Sequence, residues 1–192
     1  MSLRQITNLI QYIEKHTDLD KAKKITEPLR GIKKSTKPEK RALLVKQAIE
    51  DMNTHLTPEI VTKIMSSCGK DCATHNRRAI DAALKRRRKH PTLQAYLEAE
   101  ENNPQKGTRL KLEGNTITLW YTQNTYTRPM RCYCGLQRSL PVDVTTHINY
   151  CKCSEAFVKT QWEQILGQPV EVKVIKSAIS GSDECQFQIQ PI

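Results

Sequence analysis

The residues most able to do chemistry are cysteines. Seven occur in 192 residues, six of them as close pairs: Cys68 and Cys72, Cys132 and Cys134, and Cys151 and Cys153 within HINYCKCSEAF; Cys185 stands apart. An odd count argues against a scaffold of paired disulfides and toward metal ligation, thiol catalysis or burial. Four thiolates spaced C-x-C, sixteen residues, C-x-C can surround a tetrahedral zinc. Cys132, Cys134, Cys151 and Cys153 are therefore the expected metal donors, with Cys68, Cys72, His147 and Cys185 as further candidates. The competing reading is packing, because a free cysteine behaves as a small hydrophobe. Cys72 with His75 three positions on forms a candidate nucleophile–base pair, without a recognisable oxyanion hole, orienting carboxylate or phosphate-binding glycine loop.

Composition narrows the classes. Apolar residues make up 38% and aromatics 5%, so the core must be mainly aliphatic. No run reaches the roughly 18 to 20 apolar residues of a membrane span, and the N-terminus lacks the apolar stretch of a secretory signal; a cytoplasmic protein without membrane contact is expected. The formal net charge of +11 is uneven: residues 1–106 hold 22 of the 31 basic and 13 of the 20 acidic side chains. Nucleic acid is one partner such a balance suits, and a solvated helical surface is the other explanation. KRRRK (85–89) contributes Arg86, Arg87 and Arg88 as candidate anion contacts, but no aromatic residues alternate with them for base stacking.

The elements that must position these residues change period halfway along the chain. Ile6, Leu9, Ile10 and Ile13 mark a first helix, and 23–38 reads as a basic connector broken by Pro and Gly. A helix is expected from about 39 to 53. Thr57-Pro58 starts another, which should stop near Ser67 at CGKDC; Asp71 then caps a helix ending in KRRRKHP, and Pro91 opens a short one. From Thr108 the pattern alternates: a hairpin about Glu113-Gly114-Asn115, a short strand at PMRCYCG placing Cys132 and Cys134 on one side, the longest helix over 142–167, then strands at PVEVKVIK and CQFQIQ. The expected fold is α+β, a helical N-terminal half followed by an antiparallel sheet packed on a long helix. Residues 1–38 form an N-terminal helix and connector, and 39–192 a single domain.

The C-terminal stretch YCKCSEAFVKTQWEQILGQPVEVKVIKSAISGSDECQFQI resembles the four-vinyl-reductase domain family over about 108–190. It is also similar to an uncharacterised prokaryotic L-2-amino-thiazoline-4-carboxylic acid hydrolase-like group, which shares Cys68-Gly69, Cys72-Ala73 and Cys132-Tyr133-Cys134. The resemblance implies a fold like that of certain vesicle-tethering subunits, often homodimeric, enclosing a pocket for a small apolar molecule. It also implies a zinc held by three Cys and one Glu. Those positions fall on Cys151, Val174, Ser177 and Cys185, so two ligands are missing here, and Cys132, Cys134 and Cys153 are expected to replace them.

The expected function is a sensor-like domain that binds a small hydrophobic or heterocyclic ligand beside a cysteine-bound zinc. Trp120, Ile148, Phe157 and Trp162 are the expected pocket residues, although at these spacings they also suit a core. The alternatives are a metal- or thiol-dependent hydrolase of a small cyclic amidine or thiazoline, and a nucleic-acid-associated accessory protein.

Overall fold

Apolar residues three and four apart fold the first half of the chain into helices. The computed structural model describes residues 3–122 and 131–192. Its first six helices are α1 (Arg4–His16), α2 (Leu19–Arg30), α3 (Pro38–His55), α4 (Pro58–His75), α5 (Arg77–Arg87) and α6 (Leu93–Asn102). Side chains satisfy orphan N–H groups at two starts: Asp18 accepts from Lys21 N in α2, and Thr92 from Ala95 N in α6. Strands β1 (Thr108–Glu113) and β2 (Thr116–Tyr121) follow, then a 3-10 turn at Ile148–Cys151, α7 (Lys152–Leu166), β3 (Val170–Lys176) and β4 (Cys185–Pro191).

The fold is α+β with, among the described residues, one four-stranded antiparallel sheet in the order β1-β2-β4-β3. Gly114 takes φ +60° in the β1–β2 turn, a conformation glycine adopts without a Cβ clash. Alternation sends Leu110, Ile117, Leu119, Phe187, Ile189 and Val172 to one face of the sheet, where they pack with Val158, Trp162 and Ile165 of α7 and Tyr96 and Leu97 of α6. A second apolar cluster joins α1 to α4 through Leu9, Ile13, Ile25, Val45, Ile49, Met52 and Ile64, and reaches Tyr150 and Cys151. Each such aliphatic side chain taken out of water contributes about 1.5–3 kcal/mol before the entropy of ordering it. Thus α7 stands between the two clusters, with its start against α4 and its remainder against the sheet.

Several elements differ from the sequence expectation. The 23–38 stretch is not all connector, because α2 occupies 19–30 with Ala22, Ile25 and Leu29 buried at helical spacing. Helix α4 does not stop at CGKDC but runs unbroken to His75. Asp71 therefore caps nothing; its Oδ2 accepts from Asn8 Nδ2 (2.5 Å) and Tyr12 Oη (2.8 Å), tying α1 to α4. Residues 131–140 form turns, so Cys132 and Cys134 are not on a strand; Pro129 and Met130 lie outside the described residues. The expected long helix over 142–167 is reduced to the 3-10 turn and the 15 residues of α7, shorter than the 18-residue α3 and α4.

Gly69 explains the unbroken α4. A Cβ there would lie 2.1 Å from the Cys153 carbonyl oxygen and 2.8 Å from Ala156 Cβ, so α4 and α7 touch backbone to backbone. Glycine costs about 1 kcal/mol in a helix interior, but here it permits the contact. Gly69→Ala should therefore destabilise the protein despite its better helix propensity, by about 1–3 kcal/mol as an overpacked site. Urea unfolding would show this, and a stabilised variant would contradict the contact.

Candidate functional site

The α4–α7 contact brings thiols from three chain regions to one place. Cys68 and Cys72, one turn apart on α4, lie on either side of Gly69 in sequence. Cys153 begins α7, and its carbonyl is the group that Gly69 admits. Cys132 and Cys134 come from the connector between β2 and the 3-10 turn. Cys68, Cys132, Cys134 and Cys153 all pack, partly buried, on the helical cluster that contains Cys151. Tyr150 Oη donates to Cys134 Sγ at 3.2 Å, and Cys134 N donates to Cys132 Sγ at 3.3 Å.

The ionisation of these thiols reports how closely they sit. Burial raises Cys68 from its ordinary value of 9.0 to about 12, with Asp71 and Cys134 adding to the effect. Burial likewise pushes Cys132 and Cys153 well up; charge on Cys134 and Cys151 raises both further. Cys72 is raised by burial and Cys134, and partly relieved by the Asn76 Nδ2 donor 3.2 Å from its sulfur. Cys134 is the common neighbour, its charge acting on Cys68, Cys72, Cys132, Cys151 and Cys153. Cys68, Cys72, Cys132, Cys151 and Cys153, all raised, are thiols at neutral pH, and each would resist losing a proton while its neighbours are negative.

Cys151 and Cys153 divide between two neighbourhoods. Cys151 Sγ lies 2.9 Å from Ser177 Oγ. Burial raises its thiol to about 12, Ser177 lowers it, and Cys185 and Glu155 raise it. Cys185 accepts from Ala178 N at 3.4 Å, and Glu155 Oε1 accepts from Val174 N at 2.6 Å. Cys151, Ser177 and Cys185 thus meet in space, and a carboxylate from α7 reaches the backbone of position 174. Sequence reasoning had no signal for Glu155, which lies nineteen positions from Val174. Glycine between two cysteines is the sequence signal for the α4–α7 contact, although by local propensity alone it predicts a helix break.

The remaining expected site residues are dispersed. His75 Nδ1 faces the Asp71 carbonyl at 2.6 Å, so its visible partner is backbone and not Cys72. His147 Nδ1 accepts from Asn149 N at 3.1 Å and caps the 3-10 turn. Trp162 is buried in the sheet core with Phe157 beside it, whereas Trp120 lies outside that cluster, beneath the Arg109 guanidinium at 4.3 Å; Ile148 is exposed. Of the arginines, Arg86 makes a two-pronged bond to Glu100 (2.7 and 3.3 Å) and Arg87 donates to His90 O, leaving Arg88 exposed. As the side chains stand, no group of three or more His, Cys, Asp or Glu among the described residues is arranged to hold a metal ion. No helix among them is long and apolar enough to cross a membrane.

A family model described as a family of unknown function (DUF6144) matches residues 1–192. The chain belongs to that family. No curated protein matches it. Among solved structures it is similar to an H-NOX protein from S. oneidensis in the Fe(II)NO ligation state, at 12% identity and a TM-score of 0.48, over 100% of this chain and 99% of that one.

Raised thiol pKa values carry a pH dependence with a definite sign. The unfolded chain releases these protons near the ordinary value, whereas the folded chain keeps those of Cys68 and Cys151 to about 12. Their contribution to stability is complete below 9.0 and is lost as pH rises through that window. Urea midpoints measured from neutral pH upward should fall above that lower bound, and less steeply in Cys68→Ser/Cys151→Ser. An equal fall in the variant would remove the thiols as the cause.

Proposed function

We propose that this protein is a small-ligand-binding module built around a cysteine-bound zinc centre. The observation that supports it is that Cys68, Cys132, Cys134 and Cys153, from three regions of the chain, pack on the helical cluster that contains Cys151. The donor chemistry fits a soft, thiophilic cation: the set is all sulfur, and Cys132, Cys134 and Cys153 are partly accessible. Ligation requires the thiols to turn about χ1 between staggered positions, since they do not yet surround one point. Residues 131–147, which carry Cys132 and Cys134, are turns, bends and irregular backbone, the kind that best accommodates such a change. Zinc would supply the positive charge that lets neighbouring thiols ionise together, as structural sites do.

The small-ligand half of the proposal is supported by two clefts bordering the segments that carry the thiols. One of about 430 Å³ is lined by residues including Arg131 and Leu140, the other of about 450 Å³ by Glu50, Asn53, Thr54, Thr145, Thr146 and His147. Both fall in the range of roughly 300–1,000 Å³ typical of ligand sites. Thr146 is buried, and its Oγ1 has no partner.

Metal content of protein purified without added metal tests the centre. About one zinc per chain is expected, lost in Cys134→Ser and Cys151→Ser and kept in Cys185→Ser. Absence of metal, with thiols that react only after unfolding, would reduce the cluster to packing.

A further inference from the structure

We infer that the cleft between the start of α3 and the 131–142 connector binds a phosphate-bearing small molecule. This deepens the small-ligand half of the proposed function and does not depend on zinc. The cleft, about 430 Å³, is lined by Lys37, Arg131 and Arg138 against one carboxylate, Glu39, with Leu140, Pro141 and Val142 forming an apolar wall. Such a mixture suits a ligand with an anionic group at one end and an apolar body at the other.

The cleft keeps a net positive charge, three cations against Glu39. Among the described residues the ion pairs involve other cations, and none includes Lys33, Lys34, Lys37, Lys40, Arg41, Arg131 or Arg138. KRRRK, the more conspicuous basic run, instead spends Arg86 on Glu100 and Arg87 on a carbonyl. Around the cleft the guanidiniums meet only carbonyls: Arg131 bonds Ala178 O and Val144 O, Arg138 bonds Tyr133 O, and Arg41 bonds Thr36 O and Lys34 O. Asp143 is the carboxylate whose charge acts on Arg131.

Two further features point to an anion. Of the cleft's lining cations, Arg131 has a buried Nε with no partner among the described residues. An unpaired buried donor of this kind is costly, the more so when it carries charge. The start of α3 also lines the cleft, and its N-cap Lys37 offers no side-chain acceptor to the N–H groups of Glu39 and Lys40, the kind of helix start that suits a phosphate. Guanidinium forks and amide donors together match the several oxygens of a phosphate better than the two of a carboxylate. Cys132 and Cys134 lie on the same connector as Arg131 and Arg138, so the cleft and the thiol cluster share one segment.

Calorimetric titration of the full chain with inorganic pyrophosphate, with citrate as the carboxylate comparison, tests this inference. Wild-type protein should bind pyrophosphate more tightly than citrate. Arg138→Glu and Lys37→Glu, both at exposed positions, should each weaken binding about tenfold or more, the scale of losing a charged hydrogen bond. Arg88→Glu, the same charge change away from the cleft, should leave it unchanged. Loss of equal size in all three variants would mean diffuse attraction and overturn the site. So would no binding by the wild type, and citrate binding as tightly as pyrophosphate would overturn the phosphate assignment. Zinc content measured on the same samples separates failure here from failure of the metal centre.

Discussion

The close contact of α4 with α7 at Gly69 is the constraint on which the rest of the site depends. A Cys153 carbonyl that would stand 2.1 Å from any Cβ at position 69 can approach only a glycine. Because α7 also packs on the sheet through Val158, Trp162 and Ile165, this contact fixes the helical half and the sheet half with respect to each other. The same contact sets Cys68 and Cys72 on one side of the seam and Cys153 on the other. Asp71, two residues on from Gly69 and so about half a turn round α4, then draws α1 onto the outer side through Asn8 and Tyr12.

Electrostatics give the thiol cluster its character. The groups that act on these sulfurs are mainly other sulfurs, together with Asp71 near Cys68 and Cys72 and Glu155 near Cys151. Tyr150, itself raised well above its ordinary value by burial, donates its proton to Cys134 and brings no positive charge. Such surroundings disfavour a reactive thiolate, which needs a cationic neighbour or helix N-terminus to lower its pKa. They favour either neutral thiols or thiolates whose charge an incoming cation cancels. A nucleophilic Cys72 would need the first kind of neighbourhood, and its hydrogen bond from Asn76 supplies only a neutral donor.

The connector from 131 to 142 faces two ways. Gln137, fully buried, donates to Ala42 O and pins it to α3. Tyr133 Oη lies 2.8 Å from Gly107 O and 2.9 Å from Thr122 O, its one proton shared between the two carbonyls at the open end of the β1–β2 hairpin. Held at both ends, the segment presents Cys132 and Cys134 to the helical cluster and Arg138 to the cleft. Basic charge in the first half of the chain therefore has two fates. Part of it is neutralised locally, as in Arg86 with Glu100, and part meets the connector's arginines in a cleft lined by one carboxylate, Glu39.

The sequence by itself determined the local elements and the kinds of donor available. Apolar spacing marked α1, α3, both hairpin strands and the alternating β3 and β4, because amphipathic periodicity is a property of neighbours along the chain. The paired cysteines were legible as a thiol-rich site for the same reason. Only the tertiary structure decided that CGKDC continues a helix, since the benefit of Gly69 lies in Cys153, far away in sequence, whereas its cost in helix propensity is local. Tertiary contacts also decided that Cys151 faces Ser177 while Cys153 faces α4, that His75 turns to a carbonyl, and that KRRRK is partly neutralised while Lys37, Arg131 and Arg138 gather around one cleft. Pairings between residues many positions apart depend on how helices and sheet pack, and no spacing along the chain encodes that directly.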